Sequence, residues 1–381
     1  MIVTVVCDVL GSENNGTTIA AMNLIRSLRA KGHTVRVVCP DESRRGEKDC
    51  YIVPAYNLGT WLNAYVAKNG VMLAKPDRDV IEQAIDGADV VHVMIPFAVG
   101  GCAARIAYKK GIALTAGFHC QAENVTNHLF MMNMSAANHT AYRIFRKNLY
   151  RYCDCVHYPT QFICDLFEKE TGPTNHYVIS NGVSSSFVRR EVSRPAELNG
   201  KFVILFTGRY SKEKSHKVLI DGVARSKHRD DIQLIFAGAG PQGDNIAAYA
   251  SEQAISTPIM KFYNRDELID VINTADLYVH PAQIEIEAIS CLEAIKCGVV
   301  PVICDSPRSA TRYFALGENN LFRCNDADDL AEKIDYWIEH PDERKKCSND
   351  YEGYAARFDF DLCMDKMVQM LLDAVKMHEK G

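Results

Sequence analysis

The chain has 381 residues, 47% hydrophobic and 24% charged, with a formal net charge of -5 at pH 7. That length exceeds one ordinary hydrophobic core and predicts two domains of about 150–200 residues, and the composition excludes a disordered chain. The acidic balance excludes a global pull toward nucleic acid or an anionic membrane, so any basic surface is local.

The chain begins with a β-branched run over 2–7, without a basic leader or a small-residue cleavage site, and no later stretch reaches the ~18 apolar residues of a membrane span. A helix is expected over 17–31, with Ile19, Met22, Ile25 and Leu28 on one face and Gly32 as its left-handed stop. Further strands are expected over 35–39, 90–95 and 112–116, then over 202–207, 233–237, 277–280 and 299–304. These are continuous apolar runs without period-two alternation, as strands buried on both faces of a parallel sheet require. Helical segments alternate with them, which predicts βαβ architecture twice over. The turn Ser180-Asn181-Gly182-Val183 marks the passage between the two halves. Domains are expected at 1–175 and 176–360, and 361–381 reads as one packing helix with Leu362, Met367, Leu371 and Val375 inward. The fourteen cysteines sit singly, mostly in apolar strands (Cys7, Cys39, Cys304). The closest pair, Cys153 and Cys155, has no second pair at zinc spacing, so reduced thiols of a cytoplasmic protein are expected, with no metal site.

The densest chemistry lies in the second half. After the strand over 277–280 comes a loop carrying Glu285 and Glu287, then a helix starting near Ile289. The backbone N–H groups at such a start, around Ala288, Ile289 and Ser290, suit a diphosphate. Glu285 and Glu293 are eight residues apart and can flank that diphosphate, since a carboxylate accepts hydrogen bonds from a vicinal diol. Earlier, Gly208 ends a strand and Arg209 and Lys214 come off the loop that follows. Two cations and a helix start stabilise negative charge on a departing diphosphate without a metal.

Together these residues resemble the retaining glycosyltransferases of family four. Glu285 and Glu293 match that family's E-x7-E pattern, and Gly208, Arg209 and Lys214 match its G-R-x4-K pattern. The resemblance implies an α/β, GT-B fold, two Rossmann-like parallel-sheet domains facing a cleft with the C-terminal helix packing back on the first. It implies that Arg209 and Lys214 hold the donor diphosphate, that Glu285 contacts the sugar and that Glu293 binds the ribose. Backbone near Gly238 and at Tyr263 and Asn264 is implied to cradle the base, usually uracil. Members often carry glycine just after the first Glu, where this chain has Ile286 and Ala288; Glu287 looks like a subgroup feature.

In the first half, the loop joining the first strand to the first helix holds Asn15, Gly16 and Thr17, and similar family loops shape the acceptor pocket. His119, with Gln121, Glu123 and Asn124 after it, follows another strand; a histidine so placed meets a sugar or acceptor hydroxyl. From Asn124 through Cys153 there is no Asp or Glu, and Arg143, Arg146, Lys147 and Arg151 accompany Tyr142, Phe145, Leu149 and Tyr152 at helical spacing. A basic, aromatic-bearing amphipathic helix can lie on an anionic membrane surface. Within the family, His119 to Asn124 and Glu285 to Glu287 look most like bacterial diacylglycerol glucosyltransferases. The expected reaction is transfer of glucose from a UDP-sugar to the 3-hydroxyl of diacylglycerol at the inner face of the membrane, with no cofactor.

Other readings stay open at this point: a soluble sugar or polysaccharide acceptor, a GT-B-shaped nucleotide-sugar epimerase, and a binding module without turnover. A dehydrogenase is suggested by Gly238, Gly240 and Gly243, which fit G-x-G-x-x-G, yet they follow an internal strand without a clear ribose-binding acid.

Overall fold

A computed structural model describes residues 1–11, 16–56, 74–127, 131 and 133–380. The chain divides into two compact units, Met1–Asn181 with Cys363–Gly381, and Gly182–Leu362.

In the first unit, β1 (Ile2–Val6), β2 (Thr34–Cys39), β3 (Cys50–Ile52), β4 (Val90–Val93), β5 (Ala113–Gly117), β6 (Cys155–Tyr158) and β7 (His176–Val178) form one sheet. Its order is β3-β2-β1-β4-β5-β6-β7 and its pairings are parallel. Val3, Val5, Val6, Val90, Val91 and Val93 are all buried, the consequence of helices covering both faces. Thr4 is tolerated among them because its hydroxyl donates to the Ala84 carbonyl at 2.7 Å. The helix Gly16–Ala30 follows β1 and buries Met22, Ile25 and Leu28, and Gly32 takes φ 81° behind it. Strand order reverses between β1 and β4, and the carboxyl ends at such a switch point are where open α/β sheets bind ligands.

The first unit runs to Asn181, not to the expected 175, because β7 is hydrogen-bonded to β6 with Val156 facing His176. The C-terminal helix Phe360–His378 buries Met364, Met367, Met370 and Leu371. Its Asp373 accepts from the Tyr177 hydroxyl at 2.9 Å. Leu362, expected inward, is 44% exposed; the helical stripe runs through Cys363, Met367, Met370 and Ala374 instead.

In the second unit, β8 (Phe202–Thr207), β9 (Ile232–Ala237), β10 (Ile259–Lys261), β11 (Leu277–His280), β12 (Pro301–Asp305) and β13 (Leu321–Arg323) pair in the order β10-β9-β8-β11-β12-β13. These pairings too are parallel, and the switch point lies between β8 and β11. β12 begins two residues later than expected. The helix Ile289–Lys296 before it ends in a Schellman motif, with Val299 N–H on Ala294 O at 3.0 Å and Gly298 N–H on Ile295 O at 2.9 Å, so Val299 belongs to the cap.

Candidate active site

At the carboxyl ends of β8 and β11, three segments of the second unit place charge together. Lys214 ends a 3-10 turn, Lys212–Lys214, that closes on Ser215 in the left-handed region at φ 53°. Its ammonium pairs with the Glu285 carboxylate, and the two side chains are 17% and 13% exposed. His280, the last residue of β11, is fully buried and donates from Nε2 to the same Glu285 oxygen at 3.2 Å. Its Nδ1 faces the Tyr278 hydroxyl at 3.2 Å, so Tyr278, His280 and Glu285 form a chain of hydrogen bonds. The Glu285 backbone is fixed as well, its carbonyl accepting from Ala310 N–H at 2.8 Å. Burial alone would raise the Glu285 pKa, but the Lys214 ammonium and the His280 hydrogen bond outweigh it and hold the carboxyl at about 2. Burial pushes the His280 pKa down, against the opposing pull of Glu285, so the imidazole is neutral.

Glu293 has the opposite environment. Burial raises it to about 7 with only Arg265 opposing, so two carboxylates eight residues apart titrate in different pH ranges. Between them, Ala288 stands at the helix start at φ 59°, ψ 67°, a left-handed conformation more usual for glycine, with no side chain capping the helix among the described residues. The Ser290 hydroxyl, in the first turn, lies 3.3 Å from the Tyr278 hydroxyl. Glu287 is buried. Arg209 pairs with Glu213 at 3.3 Å, and Ser211 donates to the same oxygen at 2.6 Å, so the loop after β8 is braced.

The glycines of the G-x-G-x-x-G stretch have a packing explanation. A Cβ on Gly238 would collide with the Gly208 carbonyl, one on Gly240 would lie 2.6 Å from the Tyr210 carbonyl, and one on Gly243 would lie 3.3 Å from the Tyr210 ring. All three let the loop after β9 lie against the loop after β8, where Tyr210 N–H bonds Ala239 O at 2.9 Å. Tyr263 is half-buried with the Lys261 ammonium 4.8 Å from its ring centre. Asn264 is committed to a capping box with Glu267, which engages both its N–H and its side chain.

In the first unit, Asn15 lies outside the described residues. Gly16 is exposed at the start of its helix, and Thr17 reaches the His119 carbonyl with its hydroxyl at 3.4 Å. Thr17 and His119 are thus brought together. The other expected acceptor residues lie in and beside the turn that follows. Gln121 is fully buried, Asn124 accepts from Gln121 N–H at 3.2 Å to close a turn, and buried Glu123 accepts from the Tyr142 hydroxyl at 2.7 Å. Not anticipated from sequence was Asp8 at the end of β1, which caps the helix Ala98–Lys110 through Val99 N–H at 2.8 Å and Gly100 N–H at 3.0 Å. Nor were His92 and His157, which flank His119, or the Tyr278–His280 relay. The only sequence signal for these was a polar residue inside an apolar strand.

The helix Ser135–Asn148 leaves Arg143, Ile144 and Lys147 exposed, with Arg151 exposed just beyond it. Arg146 departs from the expected stripe: its guanidinium donates to the Gly172 and Pro173 carbonyls at 3.0 and 3.3 Å and ties down the following loop. Arg151 instead joins Arg105, Tyr108, Lys109 and Tyr152 around a recess of about 500 Å³ whose lining has no carboxylate. The Tyr108 and Tyr152 rings are 5.3 Å apart, and Arg151 lies 4.5 Å over Tyr152. Among the described residues no helix is long and apolar enough to cross a membrane. Elsewhere, Cys164, Glu168 and His176 lie close enough to share an ion, yet one Glu168 oxygen already accepts from Thr174 N–H, the Thr174 hydroxyl and His176.

Comparison with known proteins bears on the family and the fold. Residues 14–187 match the family described as Glycosyltransferase Family 4, and residues 188–352 match Glycosyl transferases group 1. A GDP-mannose-dependent alpha-mannosyltransferase of Corynebacterium glutamicum is 22% identical over 75% of this chain and 68% of its own. An alpha-monoglucosyldiacylglycerol synthase of Acholeplasma laidlawii is 22% identical over 86% of each. The catalytic domain of cholesterol-alpha-glucosyltransferase from Helicobacter pylori is 46% identical over 41% of this chain and 98% of that one, at a TM-score of 0.40. The Anabaena protein HepE in complex with UDP-glucose has a TM-score of 0.76, with 16% identity over 97% of this chain and 99% of that one. With both halves matched in turn and two parallel Rossmann-like sheets beneath them, the chain belongs to the family-four glycosyltransferases of GT-B fold.

Proposed function

We propose that the chain transfers a hexose, glucose in the first instance, from a UDP-sugar to a lipid alcohol such as diacylglycerol, with retention at the anomeric carbon. The observation that carries this reading is the largely buried Lys214–Glu285–His280 cluster at the carboxyl ends of β8 and β11, beside a helix start where Ala288 offers no side-chain cap. A preorganised cation next to backbone N–H donors suits the charge that develops on a departing diphosphate. In this reading Arg209, Lys214 and the N–H groups of Ile289 and Ser290 hold the diphosphate. Glu285 accepts sugar hydroxyls, Glu293 takes the ribose, and backbone near Gly238 and at Tyr263 and Asn264 cradles the base. The bond from the anomeric carbon to the phosphate oxygen breaks with its electrons on UDP. The acceptor oxygen then bonds that carbon, and its proton passes to the departing phosphate, with His119 orienting the hydroxyl. Charge on the leaving group is assigned to protein groups and to no metal.

Support for a UDP-sugar comes from the UDP-glucose complex of HepE. Support for the lipid comes from the name of the Acholeplasma relative and from exposed Arg143, Lys147 and Arg151, with Arg151 on the carboxylate-free recess. Such a surface favours peripheral binding to an anionic bilayer. The test is nucleotide release from UDP-glucose, UDP-galactose and GDP-mannose, with and without diacylglycerol in anionic vesicles. Lipid-dependent release from UDP-glucose is expected. Release indifferent to lipid transfers the acceptor to the soluble sugars, and release from GDP-mannose alone refutes the donor.

A further inference from the structure

We infer that the first unit holds one buried water among His92, His119 and His157, and that this water positions His119; the inference rests on the acceptor role proposed for His119. Strands β4, β5 and β6 are neighbours, and each brings one imidazole to the same place: His92 in β4, His157 in β6 and His119 two residues beyond β5. Gly117 makes this convergence possible. A Cβ there would lie 2.5 Å from Nε2 of His119 and 3.5 Å from Nε2 of His92, so only glycine lets the His119 ring fold back over the strand.

The hydrogen bonds decide the tautomers. The Thr115 hydroxyl donates to Val91 O at 3.4 Å, so the 2.9 Å contact from Nδ1 of His92 to that hydroxyl carries the histidine's proton. Nε2 of His92 is then an acceptor. His157 Nε2 lies 2.6 Å from the Ile179 carbonyl, a group that only accepts, so Nδ1 of His157 is an acceptor too. Burial holds His92 at about 3 and His157 at about 4, so neither acceptor is protonated at neutral pH. Among the described residues neither nitrogen has a partner, although the side chains are 0% and 2% exposed.

Two unpaired acceptors in a core are costly. These two line a cavity of about 10 Å³, with His119, Met94, Asn181 and Met367. That volume is about what one water needs, at the lower edge of the range. Water brings two donors for the two bare nitrogens and keeps lone pairs that accept from Nε2–H of His119. The third imidazole is thereby fixed in one tautomer and one orientation, with Nδ1 left as its acceptor for a substrate hydroxyl. His92 and His157 act through His119 and are positioning residues.

The direct test is a crystal structure of the wild-type enzyme at a resolution that orders solvent. One water within hydrogen-bonding distance of both Nε2 of His92 and Nδ1 of His157 is expected, and a dry cavity overturns the inference whatever His119 does. The functional test compares His157→Gln with His157→Leu. A glutamine amide can donate to Ile179 O and accept from the water; leucine does neither. His157→Leu is expected to lower kcat about tenfold or more, as small misplacements of a reacting group do, with KM for the donor unchanged and most of the loss recovered in His157→Gln. Equal kcat in the two variants refutes positioning. His92→Gln against His92→Leu repeats the comparison if either His157 variant fails to fold. Full turnover by His119→Ala would refute the role of His119 while leaving the water itself visible in the structure.

Discussion

Lys214→Met tests whether Glu285 is held as a charge by its neighbours. The fall of its pKa from 4.5 to about 2 corresponds to roughly 3 kcal/mol. Because the folded value is depressed, that stabilisation is fully present above pH 4.5 and is lost as pH falls through about 2. Methionine keeps the bulk of Lys214 and removes the cation, leaving a buried carboxylate with only the His280 hydrogen bond. Losing one partner of a buried pair costs about 3–5 kcal/mol, and in a unit of this size that lowers the melting temperature by roughly 10 °C. Calorimetry at pH 7.5 should show the second unit melting early in Lys214→Met. The double variant Lys214→Met/Glu285→Gln should recover more than half of the loss. At pH 5 the deficit of the single variant should narrow, since without the ammonium burial dominates and the Glu285 pKa rises above 4.5. A double variant as unstable as the single one, at both pH values, refutes the argument that an uncompensated charge is the cause.

Gly238→Ala pushes a methyl into the Gly208 carbonyl, so it should melt early and lose UDP affinity by calorimetric titration. Gly353→Ala, in the helix Pro341–Ala355 with nothing within 4 Å, should stabilise by about 0.5–1 kcal/mol. Glu293 has a raised folded pKa, so its burial penalty grows as pH rises from about 4.5 to about 7. Glu293→Gln should therefore raise the melting temperature at pH 8 far more than at pH 4.5, while KM for the donor increases if the carboxylate takes the ribose. Tyr142→Phe leaves Glu123 without its hydroxyl and should lower stability with the acceptor KM unchanged; a selective rise in that KM would restore Glu123 to the acceptor site. Neutralising Arg143, Lys147 and Arg151 together should abolish salt-sensitive binding to anionic vesicles in a sedimentation assay and spare UDP release in the absence of lipid.

The strands that could be read in advance are those buried on both faces. β1 and β8 are runs dominated by Val, Ile, Leu and Phe, whose composition calls for helices on either side. β3, β10 and β13 are three residues long and lie at or next to sheet edges; their pairing comes from the neighbouring strand, so no local pattern announces them. The G-R-x4-K and E-x7-E spacings were legible because each lies within one loop-and-helix segment, where chain geometry limits how far apart the side chains can be. The ion pair between Lys214 and Glu285 was not, since it joins groups 71 residues apart.

By itself, then, the sequence determined two parallel α/β units and the residue types available for binding an anionic donor, because burial and helix periodicity act over a few residues. Only the tertiary structure decided which partners those polar groups meet. Glu123 read as an acceptor-site residue and Arg146 as part of a membrane-facing stripe; their partners lie 19 residues away in Tyr142 and 26 away in Gly172. The same holds for the three imidazoles over Gly117, which come from three different strand segments. A polar side chain's partner is chosen through space by desolvation and hydrogen-bond geometry, and neither quantity exists until the sheet has assembled.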